Sequence, residues 1–385
     1  MKYDVCIIGG GVVGLAIAYY LKRFDEKLSI ALYEKRYFGY GGSTRNAGHF
    51  RVHFWTYENS LYASESVKLL IKFMGETGWN PTIVRSGYLW LIGDEDLWRV
   101  YKEANERIWK KLGNPVRFMD IDRVGKLYPY LNLNGFIGAV YGPQNGKLHH
   151  DIVVYGYLDR FKKLGGDAYP YTPVVKIRVG NGRVKGVDLG YKVIECEKIV
   201  VAAGEGSKYL FQTLDIDIPI VIKRKELYVS EPYSLFIDPL IIDTREDSLG
   251  LYVTQTLRGE LMGSIDYPEA IDDLTHETTL KHYTVYAKKL VRLIPIMKYS
   301  TIMRCWSGNY VTTPDNSHIM GRDPEWPEGL YISTGFSGHG FMLAPYTGFL
   351  MARHLIYGET PNTMEPYTPD RFRMGKYVRE SLVIG

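Results

Sequence analysis

The chain has 385 residues, of which 45% are hydrophobic and 23% charged, and this globular composition excludes a disordered or low-complexity protein. Its length suggests two or three domains. The net charge of +4 is spread along the chain, and the only dense basic run is Lys223-Arg224-Lys225, too short for a nucleic-acid footprint.

Cys6, Cys196 and Cys305 are too few and too scattered for a disulfide framework or a cysteine zinc site. They suit a reducing compartment, and no metal is expected. Val5 to Leu21 is nearly all apolar. Asp4 precedes it, and Gly9, Gly10, Gly11 and Gly14 interrupt it, which argues against both a signal peptide and a membrane span. The expectation is a soluble, unprocessed cytoplasmic protein, free or at the inner face of the membrane. Glutamine occurs only at 144, 212 and 255, and such a scarcity suits a thermophile.

Residues 3–8 read as a buried strand, Gly9-Gly10-Gly11 as a turn, 12–23 as a helix and 28–34 as a second strand. That is a βαβ unit. A glycine-rich loop follows over 37–48, then a helix from Glu58 to Phe73. Residues 83–92 predict a strand and 95–112 an amphipathic helix. Short strands alternate with turns over 133–250, interrupted by one helix at about 151–164. Asn181-Gly182 between two apolar runs predicts a hairpin. Ile199 to Gly204 reads as a strand ending in a glycine, and Tyr252 to Ile265 as two strands around Arg258-Gly259. Helices are expected at Leu280–Leu293 and Phe341–Tyr357. A strand at Leu330–Ser333 and a glycine loop at 335–340 precede the last helix.

Gly9, Gly11, Val12, Val13 and Gly14 form a Gly-x-Gly-x-x-Gly turn between strand and helix. Its glycines permit a tight turn and close approach of a pyrophosphate to the helix N-terminus. Glu34 ends the next strand, where a carboxylate accepts hydrogen bonds from ribose hydroxyls; Lys35 follows it. This pattern indicates dinucleotide binding without choosing between NAD and FAD. Gly42, Ser43, Thr44, Arg45, Asn46, Ala47, Gly48 and His49 lie where a chain can follow the pyrophosphate toward the reactive ring. Gly338, His339, Gly340, Phe341 and Met342 open the last helix, whose N-terminus can stabilise negative charge on a reduced flavin.

Together with Val200-Val201-Ala202-Ala203-Gly204, Arg304-x-Trp306-x-Gly308 and Thr313-Pro314-Asp315, these segments resemble the D-amino-acid-oxidase superfamily of flavoproteins. The nearer branch resembles glycine oxidase, sarcosine oxidase or its β subunit, dimethylglycine dehydrogenase and archaeal dye-linked L-proline dehydrogenase. The resemblance implies a mixed α/β (α+β) chain: a Rossmann-type FAD-binding domain plus a substrate domain with a mainly antiparallel sheet. The expected ranges are 1–82, 146–215 and 310–385 for FAD, and 83–145 and 216–309 for substrate, with helices on the outer face of the second sheet.

It also implies FAD. The position of the covalent cysteine of monomeric sarcosine oxidases is Gly308 here, so noncovalent FAD is expected. Val174 matches the adenine-facing position, and Ala203 and Gly204 the pyrophosphate turn. Tyr252 matches the tyrosine that faces the substrate carboxylate. The carboxylate-binding arginine of glycine oxidase is Tyr310 here, and the lysine of sarcosine oxidase is Met342. Arg51 then becomes the cationic candidate for the carboxylate, with His49 and His53 beside it.

The activity implied is oxidation of an amino acid or secondary amine, with proline or an N-methylglycine as lead. Hydride leaves the carbon beside nitrogen for flavin N5. Residues 258–263 hold no lysine at the place that serves oxygen in sarcosine oxidases, which favours a dehydrogenase passing electrons to a quinone, a dye-like acceptor or a partner flavoprotein. One alternative is oxidation of a 2-hydroxy acid or glycerol 3-phosphate, with His49, His53 or His339 as base. Another is a β-like subunit active only in a hetero-oligomer; homo-oligomers are equally compatible.

Overall fold

The computed structural model describes residues 2–266 and 275–381. Among the described residues, two eight-stranded sheets form the framework. The parts of the expected domain ranges at residues 1, 267–274 and 382–385 lie outside the described residues.

The first sheet is built on the βαβ unit. Lys2–Ile8 pairs in parallel with Ile30–Tyr33 on one side and with Val193–Val201 on the other. Asp167–Tyr169 and Leu330–Thr334 extend the parallel array outward. Uninterrupted apolar runs such as Val5-Cys6-Ile7-Ile8 belong in strands covered on both faces, and they are buried here. Helices Val12–Phe24, Tyr57–Thr77, His150–Lys163 and Gly340–Tyr357 cover one face through Leu15, Leu70, Val154 and Leu350. The hairpin Lys176–Gly180 and Arg183–Asp188 helps to cover the other. Its turn has Asn181 at φ 54° and Gly182 at φ 73°, the left-handed pair such a hairpin requires.

The second sheet runs in the order 302–312, 221–232, 260–264, 252–255, 240–243, 88–92, 138–142, 117–120. Every pairing is antiparallel except Leu240–Asp243 with Tyr88–Ile92. Helix Leu280–Leu293 packs Tyr286, Leu290 and Leu293 on one face. The expectation of helices on the outer face alone is corrected. Helix Glu95–Ala104 and the wider turn Asn105–Trp109 pack Tyr101 and Trp109 against Trp90 and Ile242, on the same side as Tyr88 and Tyr252. Large aromatic side chains on that face need a covering layer, and they are buried together there.

Candidate active site

A cavity of about 610 Å³ runs between the two sheets. Gly9 and Gly11 turn the first strand into its helix. Gly9 has φ +112°, and a Cβ there would lie 2.3 Å from the Ala202 carbonyl oxygen. Ser43 Oγ accepts from the N–H of Val12 at 2.9 Å, so the second loop closes over the helix N-terminus. The Glu34 carboxylate accepts from the N–H groups of Gly10 and Arg36, both at 2.8 Å. It thereby fixes the glycine turn while lining the cavity.

The sequence-derived residues Gly9, Gly11, Val12, Val13, Glu34, Lys35, Gly42, Ser43, Arg45, Asn46, Ala47, His49, Val174, Ala203, Gly204, Gly308, Gly338, His339, Gly340, Phe341 and Met342 all border this cavity, as do Arg51, Tyr252 and Tyr310. Gly14, Thr44, Gly48 and His53 do not border it. Gly14 serves packing: a Cβ there would lie 2.1 Å from the Gly9 oxygen. Thr44 Oγ1 donates to the Gly39 carbonyl at 2.8 Å, shaping the loop. Gly48 passes close to the Leu148 carbonyl at φ +66°. His53 is buried behind the wall, with Nδ1 against Asn145 Oδ1 and Nε2 against the Asn114 carbonyl.

The loop donors are partly engaged within the protein. Arg45 Nε donates to the Tyr40 carbonyl, and Asn46 Nδ2 to the Ser43 carbonyl. Trp306 Nε1 donates to the Arg45 carbonyl at 3.0 Å, which ties the loop to the second sheet.

Arg51, Tyr88, Tyr252 and Tyr310 also border the cavity and lie near one another. Burial pushes the Tyr310 phenol up to about 12 despite nearby Arg51, and raises Tyr88 and Tyr252 as well. All three phenols remain hydrogen-bond donors at neutral pH. Arg51 is buried, donates from Nη2 to His339 Nε2, and has its backbone N–H against Met342 Sδ at 3.2 Å. Burial lowers its pKa, but a guanidinium stays charged in proteins. Gly338 sits at φ +87°, and a Cβ there would meet the Tyr310 ring at 2.3 Å. The glycine loop thus leaves room for that phenol. Burial depresses His49 to about 3; its Nδ1 faces the Ala47 carbonyl and its Nε2 faces Thr254 Oγ1.

Sequence reasoning missed Tyr88, Lys225 and Asn309, which also border the cavity. Lys225 carried a signal in the basic run. Period-two alternation along 221–232 assigns Lys223 and Lys225 to one face, but the pairing of that strand was not readable.

Residues 4–354 match the family of FAD dependent oxidoreductases, DAO. The chain belongs to this family. The DAO chain is 27% identical to the sarcosine oxidase subunit beta of Rhodobacter capsulatus, over 100% of this chain and 92% of the relative. It is 25% identical to the glycine oxidase of Geobacillus kaustophilus, covering 96% and 97%. Its fold superposes on the crystal structure of L-proline dehydrogenase from P. horikoshii with a TM-score of 0.91, at 29% identity and 98% and 99% coverage. It is therefore an FAD-dependent oxidoreductase with a Rossmann-type FAD-binding domain and a substrate domain.

The residues present fit FAD. Asn309 Nδ2 and Oδ1 and Ser333 Oγ are buried in residues that border the cavity, with no hydrogen-bond partner among the described residues. Such atoms call for a polar ligand. Among the described residues no helix is long and apolar enough to cross a membrane.

Proposed function

We propose that the chain oxidises an amino acid or secondary amine that carries a carboxylate, with proline or an N-methylglycine as lead substrate. The observation that carries this reading is the closeness of Arg51, Tyr88, Tyr252 and Tyr310 on the wall of a cavity that the dinucleotide fingerprint also borders. Relatives named for sarcosine, glycine and proline support the same class.

FAD, when bound noncovalently, supplies the electron sink that takes a hydride at its flavin ring. The N-terminus of helix Val12–Phe24, with Gly11 and Ser43, holds the pyrophosphate, and Glu34 the ribose. Gly338 to Met342 place the N-terminus of the last helix at the flavin edge. We assign residues 1–82, 146–215 and 310–385 to the FAD domain and 83–145 and 216–309 to the substrate domain, a division supported by the two separate sheets. Arg51 binds the carboxylate by a charge-assisted pair, and the phenols of Tyr252 and Tyr310 donate hydrogen bonds to it. For the hydride transfer itself the demand is positional: the carbon beside nitrogen must lie about 3–3.5 Å from its acceptor.

The alcohol reading is disfavoured by how the three histidines are committed. His53 lies off the cavity, His49 has both ring nitrogens engaged, and His339 spends Nε2 on Arg51. The electron acceptor is a quinone, a dye-like molecule or a partner flavoprotein. The lysine-free segment 258–263 supports this, but Lys225 enters the cavity from the neighbouring strand and narrows that argument. A second reading, a subunit working with partners, is favoured by the name of the sarcosine oxidase relative. Anaerobic reduction of the holoenzyme by a panel of candidate substrates tests the proposal.

A further inference from the structure

Lys225 occupies a position that none of the roles above uses. It lies on strand Val221–Pro232 opposite Gly308, whose missing side chain leaves space beside it on the cavity wall. Tyr310, two residues beyond Gly308, is its diagonal neighbour, and Nζ sits 5.6 Å from the centre of that ring. The Lys225 side chain is 9% exposed, and its ammonium contacts the Asp266 carboxylate, whose side chain is 49% exposed. One end of this pair therefore borders the cavity and the other reaches water.

We propose that Lys225 takes the proton from the substrate's ammonium group and that Asp266 passes it to solvent. The inference rests on reading the cavity as an amine-oxidation site. An ammonium nitrogen has no lone pair with which to expel hydride from the adjacent carbon. Secondary amines with ordinary basicity enter protonated at neutral pH. In the proposed step the substrate N–H bond breaks, its electron pair stays on the substrate nitrogen, and neutral Lys225 Nζ gains the proton. Lys225 then returns to neutrality by giving that proton to water through Asp266. No oxidant or reductant is involved.

The charged and titratable surroundings fit a lysine that changes state. Burial, and then the exposed Lys223 on the same strand, push Lys225 down to about 7. The Asp266 carboxylate favours the charged form. Arg45 packs against Gly308, Tyr310 lies two residues along the same strand, and Arg51 and Tyr252 border the same cavity. The phenols of Tyr310 and Tyr252 are raised by burial and stay neutral. Glu226, next along the strand, is engaged with Tyr228, Thr279 and His282.

The test compares FAD-loaded wild type, Lys225→Gln and Asp266→Asn. Anaerobic reduction by the amine is followed from about pH 6 to about pH 10, with the flavin content confirming the fold. Wild type should show a limb near pH 7. Lys225→Gln should lose that limb, rise tenfold per pH unit toward the ammonium pKa of the substrate itself, and fall about a hundredfold or more at neutral pH. Asp266→Asn should move the limb to lower pH, because the ammonium loses its counter-charge. An independent readout is the pH dependence of Lys225 acylation by a small reagent, followed by mass spectrometry, with a midpoint near 7. A wild-type pH profile in Lys225→Gln, or an acylation midpoint near the ordinary lysine value of about 10.4, overturns the proposal. A wild type reduced by no amine fails the underlying amine reading instead and takes this inference with it, an outcome visible before any variant is made.

Discussion

Arg51 donates from Nη2 to Nε2 of His339 at 2.7 Å. A guanidinium has no lone pair to offer, so His339 Nε2 must be the acceptor and the ring proton sits on Nδ1. Burial, followed by the Arg51 charge, holds His339 well below its ordinary value and keeps it neutral. The glycine loop before the last helix thus orients the cation assigned to the substrate carboxylate. Loss of a charge-assisted anchor costs about 1.5–3 kcal/mol. Arg51→Ala should lower kcat/KM about ten- to a hundredfold with FAD retained. His339→Gln, which keeps an acceptor, should lose less. Unchanged kcat/KM in Arg51→Ala places the anchor elsewhere.

Glu34 has two tasks, since its carboxylate accepts from Gly10 and Arg36 while bordering the cavity. Glu34→Ala should therefore purify largely free of FAD, regain activity only at high FAD, and melt earlier even when apo. FAD titration and calorimetry check the two effects separately. Normal FAD affinity would refute the ribose assignment.

Three buried histidines and the half-buried His49 set a stability window. Burial lowers His49 to about 3 and His53 to about 4, and puts His318 and His339 well below the ordinary value. Below about pH 6.5 the unfolded chain binds protons that the native state refuses. Their contribution is therefore full above about pH 6.5 and is lost progressively as pH falls toward about 4, by up to about 1.4 kcal/mol per pH unit for each. Urea unfolding at about pH 7.5 and about pH 5 should show the drop, and His53→Gln should flatten it. Equal stability at both values contradicts the account.

Neither Cys6, Cys196 nor Cys305 borders the cavity, and Gly308 does. Cys6 and Cys196 are buried in the first sheet, while Cys305 is exposed near Thr278 Oγ1. Acid precipitation should leave yellow FAD in the supernatant. Flavin retained in the pellet would show a covalent link.

The first βαβ unit was legible because its turn chemistry and apolar pattern agree locally. Gly9, Gly11 and Glu34 fall where the pattern placed them. Helix Leu280–Leu293 has the predicted limits, helped by the Thr279 side chain accepting from the His282 N–H. Local reasoning failed where tertiary packing decides. The predicted strand 83–92 shortens to Tyr88–Ile92 after Gly87 takes φ +78°. The strand Arg117–Asp120 and the helices Ile121–Leu127 and Ser207–Gln212 are too short to show a period. The site was half legible for the same reason. Arg51 sits in a recognisable loop, whereas Tyr88 and Lys225 reach the cavity only through long-range strand pairing. His53 shares the local surroundings of His49 in sequence, but Asn145 draws it behind the wall.

The central claim is that this cavity oxidises an amine bearing a carboxylate. The direct measurement is anaerobic bleaching of the enzyme-bound flavin by amino acids, N-methyl amino acids, 2-hydroxy acids and glycerol 3-phosphate. The account predicts bleaching by a member of the first two groups, proline or an N-methylglycine foremost, and none by the hydroxy compounds. Bleaching by a 2-hydroxy acid or glycerol 3-phosphate, with every amine inert, would contradict it.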